Sequence, residues 1–253
     1  MAKFFQKNKT IHDENKLEIV SDKSPFAYVE AYKTLRTNMN FLSRNSQYKK
    51  LLLTSSIPGE GKSSVSINLA RVLAENGKRV LLIDCDMRKP MLHRYLRAQR
   101  FRSRGLSTVL SGNSTLEESI AAFSDLQFDL MTAGPIPPNP TELLASAEMG
   151  NLLELLETRY DYIICDTPPV SLVTDAAILS EYCDGVLLVV RQKYATFQQV
   201  KRAKQNLQNV HAQILGCVLN QYDVSKNVRE SAGSAYYHYQ YGDTKLASDG
   251  MMQ

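Results

Sequence analysis

Short apolar runs alternate along the chain with longer segments in which apolar residues recur at helical spacing. Runs of this length are typical of strands that are buried on both faces of a parallel sheet. They are LLLTSS from Leu51, RVLLIDCD from Arg79, FDLMT from Phe128, YDYIICD from Tyr160, GVLLVV from Gly185 and ILGCVLN from Ile214. Residues 105–123 favour two short helices instead. The alternation predicts the α/β class, with a doubly wound, mainly parallel sheet.

The chain before the first strand divides into a polar arm and a helix. Residues 1–23 are charged and have no hydrophobic period, which predicts a flexible N-terminal arm. Ser24 and Pro25 are typical of a helix start, an N-cap followed by proline at the first helical position. The helix is predicted to run to about Leu42 because one of its stripes is apolar: Val29, Tyr32, Leu35, Met39 and Leu42.

The loop after the first strand has the residues of a phosphate-binding P-loop. Its end, Gly61-Lys62-Ser63, matches G-x-x-x-x-G-K-[ST], although Ser56 replaces the first glycine. Glycines let backbone N–H groups approach phosphate, the lysine supplies a cation at a helix N-terminus, and the hydroxyl can ligate Mg²⁺. The alternative to a P-loop is an ordinary turn between a strand and a helix, with no ligand. We predict a fold of the P-loop NTPase type, with nucleotide contacts from Pro58, Gly59, Glu60, Gly61, Lys62, Ser63 and Ser64.

Three acidic residues end strands at the edge where open α/β sheets bind ligands. Asp84 and Asp86 share one face because side chains alternate along a strand, and Asp166 ends its strand as a Walker B carboxylate does. Each could be a solvated loop acid, but their co-occurrence with Lys62 argues against chance. We predict Lys62, Asp84 and Asp86 as catalytic, and Ser63, Asp86 and Asp166 as Mg²⁺ ligands, Asp166 through water. The residues alone leave open whether Asp84 or Asp86 accepts a proton.

Composition narrows the class of protein. Hydrophobic residues make up 43% of the 253, which excludes wholesale disorder, and the apolar runs fall far short of the about 20 residues of a membrane span. The basic start MAKFFQKNKT has no apolar segment after it, so we expect no secretory signal and a cytoplasmic location. Four cysteines without C-x-x-C spacing predict buried, reduced thiols: Cys85, Cys165, Cys183 and Cys217.

The net charge of +4 is unevenly distributed. Residues 88–104 contain many basic side chains and no acid. Phosphate, an acidic protein face or anionic lipid could bind such a segment, and a solvated flexible loop explains it equally well. The proline-rich GPIPPNP segment from Gly134 also has two interpretations: it could form a wall of the site, or it could be scaffolding.

Residues 220–223, Asn-Gln-Tyr-Asp, resemble the guanine-reading motif N-K-x-D with its lysine replaced. A GTPase would have D-x-x-G after its Walker B strand, whereas Asp166 is followed by Thr-Pro-Pro. We therefore predict only that Asn220 lies near a purine base.

The last thirty residues hold a tyrosine cluster among small and polar residues: Tyr236, Tyr237, Tyr239 and Tyr241. The segment lacks the aliphatic residues of a core, which predicts a flexible tail over residues 231–253. An added edge strand is one alternative, and a platform for single-stranded nucleic acid is another. The platform is disfavoured because no lysine or arginine lies between Arg229 and Lys245. Next to a nucleotide site, the tyrosines are best interpreted as phosphoacceptors.

Together, S-x-x-P-G-E-G-K-S, L-L-I-D-x-D-x-R, I-I-C-D-T-P-P and the tyrosine tail resemble the bacterial tyrosine kinases, over roughly residues 26–241. The resemblance implies that residues 24–230 form a kinase domain that uses ATP and Mg²⁺ to autophosphorylate the tail. It also implies that Asp84 is the base, and that the activity regulates synthesis and export of capsular or other extracellular polysaccharide. Related partitioning and division-site ATPases are disfavoured because Ile57 stands where their signature lysine would follow Ser56.

The same resemblance implies partners. The kinase would be a cytoplasmic chain held at the inner face of the membrane by a transmembrane adaptor that activates it, and a cognate tyrosine phosphatase would reverse its action. No nucleic acid partner is expected. Family rings use a helix motif E-x-x-R-x-x-R, which corresponds here to Glu30, Lys33 and Arg36. Lysine cannot form the bidentate fork of arginine, so the expected oligomer contact is weakened at Lys33.

Two other function classes fit the nucleotide site. An ATP-driven switch that phosphorylates nothing would not need the tyrosines, so deletion of residues 236–241 should leave its chemistry unchanged. A GTPase would let GTP compete with ATP for binding.

Overall fold

Seven strands form one sheet in the computed structural model, which describes residues 17–42 and 48–222. The strands are β1 (Lys50–Ser55), β2 (Val80–Asp84), β3 (Ile120–Phe123), β4 (Phe128–Met131), β5 (Tyr162–Asp166), β6 (Gly185–Arg191) and β7 (Ile214–Asn220). Their order is β3-β4-β2-β5-β1-β6-β7. All neighbours are parallel except β3, which runs antiparallel to β4 at the edge. The predicted doubly wound, mainly parallel sheet is confirmed.

Helices connect the strands. They are α1 (Phe26–Leu42), α2 (Lys62–Glu75), α3 (Leu92–Tyr95), α4 (Leu106–Leu110), α5 (Leu116–Ser119), α6 (Pro140–Leu144), α7 (Ala147–Arg159), α8 (Asp175–Leu179) and α9 (Phe197–Asn209). Local sequence explains several of their ends. Thr115 and Glu118 form a capping box at α5, and Gly77 at φ +76° lies just after α2. The two helices expected in residues 105–123 are α4 and α5, but the last four of these residues form β3 instead.

Alternate residues of one strand enter two separate cores. Leu51 and Leu53 pack with α1 and α2 on one face of the sheet, whereas Leu52 packs with α7 and α9 on the other face. This is the arrangement of a sheet covered on both sides, and it explains why the strands read as continuous apolar runs. Helices on both faces leave the carboxyl ends of the parallel strands open for a site.

The segment before α1 is held on α2, which differs from the flexible arm expected over residues 1–23. Val20 is buried, and its N–H donates to Asn68 Oδ1 at 2.7 Å. Asn68 Nδ2 donates in turn to the carbonyl oxygen of Glu18 at 3.0 Å. Leu17, Ile19 and Val20 form an apolar run that is too short to show a hydrophobic period, so the sequence does not predict this contact. Residues 1–16 lie outside the described part of the chain.

The chain to Asn220 forms one compact unit, and a second unit begins at Gln221. The predicted end of the domain at residue 230 and the predicted tail over residues 231–253 lie outside the described residues. No helix of the described part is long and apolar enough to cross a membrane.

The cysteines are free thiols, as expected, but they are not all buried. Cys85 and Cys165 are buried in the central strands and Cys183 is partly buried. Cys217 is exposed, because it lies on β7, the strand at the edge of the sheet.

Candidate active site

The loop between β1 and α2 places two glycines in the left-handed region that other residues rarely adopt. Gly59 has φ +84° and Gly61 has φ +86°. A Cβ at Gly59 would lie 2.6 Å from Tyr194 Oη, and one at Gly61 would collide with the Asn220 side-chain amide. Both glycines are therefore required by backbone conformation and by close approach. Such a loop at a helix N-terminus is suited to bind phosphate.

A buried carboxylate holds this loop from inside. Glu60 is 1% exposed, and its Oε2 accepts from Ser56 Oγ at 2.6 Å and from the Ile57 N–H at 2.9 Å. Its Oε1 accepts from the Arg191 N–H at 3.3 Å. The side chain of Glu60 is thus occupied within the loop, and only its backbone can contact a nucleotide. The serine that replaces the first motif glycine is the donor that this carboxylate needs.

The three predicted carboxylates converge on the lysine of the loop. Asp84 and Asp166 are register partners at the ends of the neighbouring strands β2 and β5. Lys62 Nζ lies 3.5 Å from Asp86 Oδ2 and 4.0 Å from Asp166 Oδ2. The same ammonium is 3.4 Å from Ser63 Oγ. The structure therefore brings together all five side chains.

Charge at this point is predominantly negative. Burial and the neighbouring charge of Asp166 raise the pKa of Asp84 to about 8. Burial also raises the pKa of Asp166, although Lys62 opposes that rise. Burial would lower the pKa of Lys62, but the three carboxylates outweigh it and the pKa is raised. A further cation beside Asp84, Asp86 and Asp166 would favour their charged forms and oppose the rise in the pKa values of Asp84 and Asp166, so the site is suited to bind one.

The donor set fits magnesium rather than a metal enclosed by protein. Among the described residues no group of three or more His, Cys, Asp or Glu side chains is arranged to hold a metal. Mg²⁺ usually takes one or two carboxylates and completes its shell with water and phosphate oxygens. Ser63, Asp86 and Asp166 supply such a partial set beside a phosphate-binding loop.

Backbone amides fix the two carboxylates at the carboxyl end of β2. Asp84 Oδ2 accepts from the N–H groups of Met91 (3.1 Å) and Leu92 (3.0 Å), and its Oδ1 accepts from the Asp86 N–H (3.2 Å). Asp86 Oδ1 accepts from the Lys89 N–H at 2.9 Å. Asp86 Oδ2 is left facing Lys62. On β5, Asp166 Oδ1 accepts from Ser66 Oγ at 3.2 Å.

An arginine fork joins the loop after β2 to two helices on the other core. Arg88 Nε and Nη2 donate to the two oxygens of Asp175, at 2.8 and 3.0 Å. Thr141 Oγ1 lies 2.7 Å from Arg88 Nη2 and donates to Asp175 Oδ1 at 2.9 Å. Asp175 is fully buried at the start of α8, and Thr141 lies on α6 after the proline-rich loop. The proline-rich loop is therefore connected to the site through α6, the helix that follows it.

Comparison with known proteins agrees with this geometry. The family described as an AAA domain matches residues 49–221. Tyrosine-protein kinase YwqD of Bacillus subtilis is 41% identical over 198 residues, which are 78% of this chain and 83% of YwqD. The chain belongs to the bacterial tyrosine kinases. It spans less than a third of the longer members of that family that it also matches.

Solved structures place the chain in the same family. The chimerical protein CapA2B2 matches with a TM-score of 0.72 and 37% identity, over 79% of this chain and 86% of that one. The kinase domain of the Escherichia coli tyrosine kinase ETK matches with a TM-score of 0.71 and 35% identity, over 77% of each chain. A septum site-determining protein MinD, at 24% identity and a TM-score of 0.59, shows the shared fold alone.

Other predicted residues of this kinase have a described position but untested roles. Pro58 and Gly59 are exposed at the mouth of the loop, and Ser64 lies in the first turn of α2. Asn220 Nδ2 donates to the carbonyl oxygen of Glu60 at 2.8 Å, so Asn220 lies at the loop itself. The base contact predicted for Asn220 stays a prediction. The four predicted phosphoacceptors, Tyr236, Tyr237, Tyr239 and Tyr241, lie outside the described residues.

The expected oligomer residues are engaged within the chain. Lys33 Nζ pairs with Glu30 Oε1 at 2.9 Å along α1. Arg36 Nη1 donates to the carbonyl oxygen of Val72 at 3.0 Å, in the last turn of α2. Arg36 therefore supplies a donor at the C-terminal turn of α2, where the carbonyl groups of a helix lack their full set of backbone partners.

Sequence reasoning missed the residues that support the site. The roles of Ser56, Ser66 and Asp175 depend on contacts with residues that are distant along the chain or that face inward from the loop. No sequence signal marked Asp175, because an acidic residue in the first turn of a helix is commonplace. Only its burial, which cannot be read from the sequence, shows that it requires a cation.

Proposed function

We propose that this chain is a protein-tyrosine kinase that transfers the γ-phosphoryl group of ATP to tyrosines of its own C-terminal tail. One observation carries the proposal: Lys62 of the P-loop lies between Asp86 and Asp166, with Asp84 paired to Asp166 across neighbouring strands. Membership of the bacterial tyrosine kinases supports the reaction type. An ATP-driven switch shares the fold but is less well supported than the kinase, because its relatives match at lower identity.

The loop and its lysine would hold the phosphates of ATP. The left-handed glycines let the loop turn its backbone N–H groups toward phosphate, and Lys62 at the end of the loop supplies an ammonium. Phosphoryl transfer requires little covalent work from a protein, so positioning and charge stabilisation dominate. Ser63 and Asp86 would contact Mg²⁺ directly and Asp166 through water. When bound, that ion neutralises charge that develops on the transferred phosphoryl group.

A carboxylate must take the proton of the attacking tyrosine. The new bond forms between the tyrosine oxygen and the γ-phosphorus, the bond from that phosphorus to the ADP oxygen breaks, and the phenolic proton passes to the base. Asp84 is the proposed base by family resemblance. Its Oδ2 has two amide donors but its Oδ1 has one, so Oδ1 retains a lone pair for a proton. Asp86 then stays with the metal and Lys62.

The family supports a wider role, which we propose in the same way. Autophosphorylation would regulate the synthesis and export of capsular or other extracellular polysaccharide. The kinase would act in the cytoplasm at the inner face of the membrane, through a transmembrane adaptor that activates it, with a tyrosine phosphatase to reverse it. CapA2B2, a solved relative, is described as a chimerical protein, which is consistent with such a pairing.

The test is the intact mass of the purified chain after incubation with Mg-ATP. We expect several added phosphates on the full chain, and few or none after deletion of residues 236–241. Lys62→Met should abolish the added mass because it removes the cation from the phosphate loop. Lys78→Met is the matched control, since Lys78 is exposed beyond α2 and should leave the added mass unchanged.

The outcomes separate the candidate functions. ATP hydrolysis without added mass, with the adaptor's activating segment present, would favour the ATPase switch. Retained tail phosphorylation in a folded Lys62→Met chain would disprove the assignment of the site.

A further inference from the structure

Four arginines occur in the segment that follows the loop after β2, and the proposed mechanism uses none of them. Arg94 lies on α3, Arg97 follows that helix, and Arg100 and Arg102 lie in and after the next turn. All four are exposed. We call these four residues the arginine surface. No acidic residue occurs in the sequence from Met87 to Leu116, so the local charge is uncompensated along the chain.

The segment is anchored and is not the flexible loop that its composition allowed. Leu92, Leu96 and Ala98 alternate with the arginines and are buried in the core beside α2. Thr132 directly follows β4, and its Oγ1 donates to the carbonyl oxygens of Phe101 (2.9 Å) and Arg104 (3.1 Å). Because one side of the segment is buried, its other side holds the arginines at the protein surface.

The four arginines lie within nine residues of the sequence, and their side chains are available to an external partner. The guanidinium of Arg100 is oriented over the ring of Phe101 at 4.8 Å. Arg104 pairs with Glu118, but within the described residues none of the four arginines forms an ion pair.

The chemistry of the surface favours phosphate monoesters. All four positions hold arginine, whose planar fork binds a phosphate through two parallel hydrogen bonds, whereas a diffuse anionic layer can be bound by lysine as well. Arg97 keeps this side chain at φ +53°, where glycine or asparagine would be less strained. Clustered arginines are the usual means by which proteins bind phosphorylated peptides.

We propose that the arginine surface binds the phosphorylated form of this chain's own tail, residues 236–241. This proposal rests on the proposed function, which makes that tail the product. Phosphorylation of its four tyrosines would add about six to eight negative charges within six residues. No other segment of the chain places so many phosphoacceptors together.

The length of the tail permits the contact within one chain. β2, which leads into the arginine surface, is separated from β7 by four strand spacings, roughly 19 Å in all. The residues between Asn220 and Tyr236 can extend over about 50 Å. Binding would hold the modified tail on the kinase and away from the P-loop. The arginine surface directly follows Met91 and Leu92, whose amides fix Asp84.

The test uses the full chain with Tyr236, Tyr237, Tyr239 and Tyr241 changed to phenylalanine, so that its own tail cannot be modified. A labelled synthetic peptide of residues 232–245, with phosphotyrosine at the four positions, is titrated by fluorescence anisotropy in about 0.15 M salt. We expect it to bind at least about tenfold more tightly than the unmodified peptide, because each phosphate gains charge-assisted hydrogen bonds.

Matched variants locate the binding site. Arg94→Gln, Arg100→Gln and Arg102→Gln combined should weaken phosphopeptide binding at least about tenfold. The control is Lys201→Gln, Arg202→Gln and Lys204→Gln combined, which removes the same charge from the exposed face of α9 and should change binding less than about twofold. Changing the three arginines to lysine preserves charge, and should still lose most of the affinity if the forks bind phosphate.

Three results would overturn the inference. Equal losses in the two glutamine sets would mean a general charge effect. Loss of binding in Lys62→Met, with none in the arginine set, would place the peptide in the active site. Binding of phosphatidylserine vesicles that depends on the three arginines, with peptide binding unaffected, would make the surface a lipid site. Because the phosphopeptide is synthetic, these results do not depend on kinase activity, which the mass measurement tests separately.

Discussion

At the scale of single residues, what surrounds a position matters as much as its backbone angles. Gly61 and Gly77 adopt nearly the same left-handed conformation, with φ +86° and +76°. A Cβ at Gly77 would meet nothing within 4 Å, whereas one at Gly61 would strike the Asn220 side chain. The sequence predicted Gly61 from the P-loop motif, and glycine is common just after a helix, where Gly77 lies. The sequence could not predict Asn220 as the neighbour, nor that Ser56 serves Glu60, because those contacts depend on the folded loop.

This pair of glycines gives a controlled prediction. Gly77→Ala should lower the free energy of unfolding by about 1 to 2 kcal/mol, the cost of a left-handed alanine, and leave nucleotide binding unchanged. Gly61→Ala has the same cost, and it also displaces the Asn220 amide from Glu60, which adds about 1 kcal/mol. It should in addition abolish ATP binding, because the loop must shift. Urea unfolding and titration with a fluorescent ATP analogue would measure both effects; similar ATP affinity in the two variants would contradict the role given to Gly61.

At the scale of elements, the site is assembled where three connections leave the sheet. The loops after β2, β4 and β5 meet through Arg88, Thr141 and Asp175, so the carboxylates after β2 are braced from the opposite core. The parallel strands were predictable because each is a continuous apolar run bounded by turn residues. β3 was not, since Ile-Ala-Ala-Phe is short and pairs only at the edge. The bracing was not predictable either, because nothing local marks Asp175 as buried.

The Arg88–Asp175 pair should respond asymmetrically to mutation. Arg88→Gln leaves a fully buried carboxylate without its cation, and should lower the free energy of unfolding by about 2 to 3 kcal/mol. The estimate lies below the range for buried pairs because the Arg88 side chain is 40% exposed and water can partly replace it. Asp175→Asn leaves an arginine that water can solvate, and should cost about 1 kcal/mol. Urea unfolding of the two variants, side by side, measures the difference; a larger loss in Asp175→Asn would show that the fork is not the main support of Asp175.

At the scale of the whole molecule, α1 has a role in the fold, and a role in assembly is predicted for the same helix. Its residues Tyr32 and Met39 are buried against the core with α2, and Arg36 donates to a carbonyl of the last turn of α2. The same helix carries the residues expected to form the ring contact. The sequence motif indicated the oligomer role of Arg36, but only the structure shows its role in the fold. Loss of assembly in an Arg36 variant therefore cannot by itself identify an interface.

Substitution of Glu30 can distinguish the predicted role of α1 in assembly from its role in the fold. Glu30→Ala removes a partly exposed pair with Lys33, so the free energy of unfolding should change by less than about 0.5 kcal/mol. Arg36→Ala removes a charged hydrogen bond to a carbonyl group and should cost about 1.5 kcal/mol or more. If α1 forms the ring contact, sedimentation velocity should show weaker self-association in Glu30→Ala at unchanged stability. Lys33→Arg should strengthen it, because arginine restores the fork that lysine lacks. Self-association that changes only in Arg36→Ala, in step with its stability, would mean that α1 serves the fold alone.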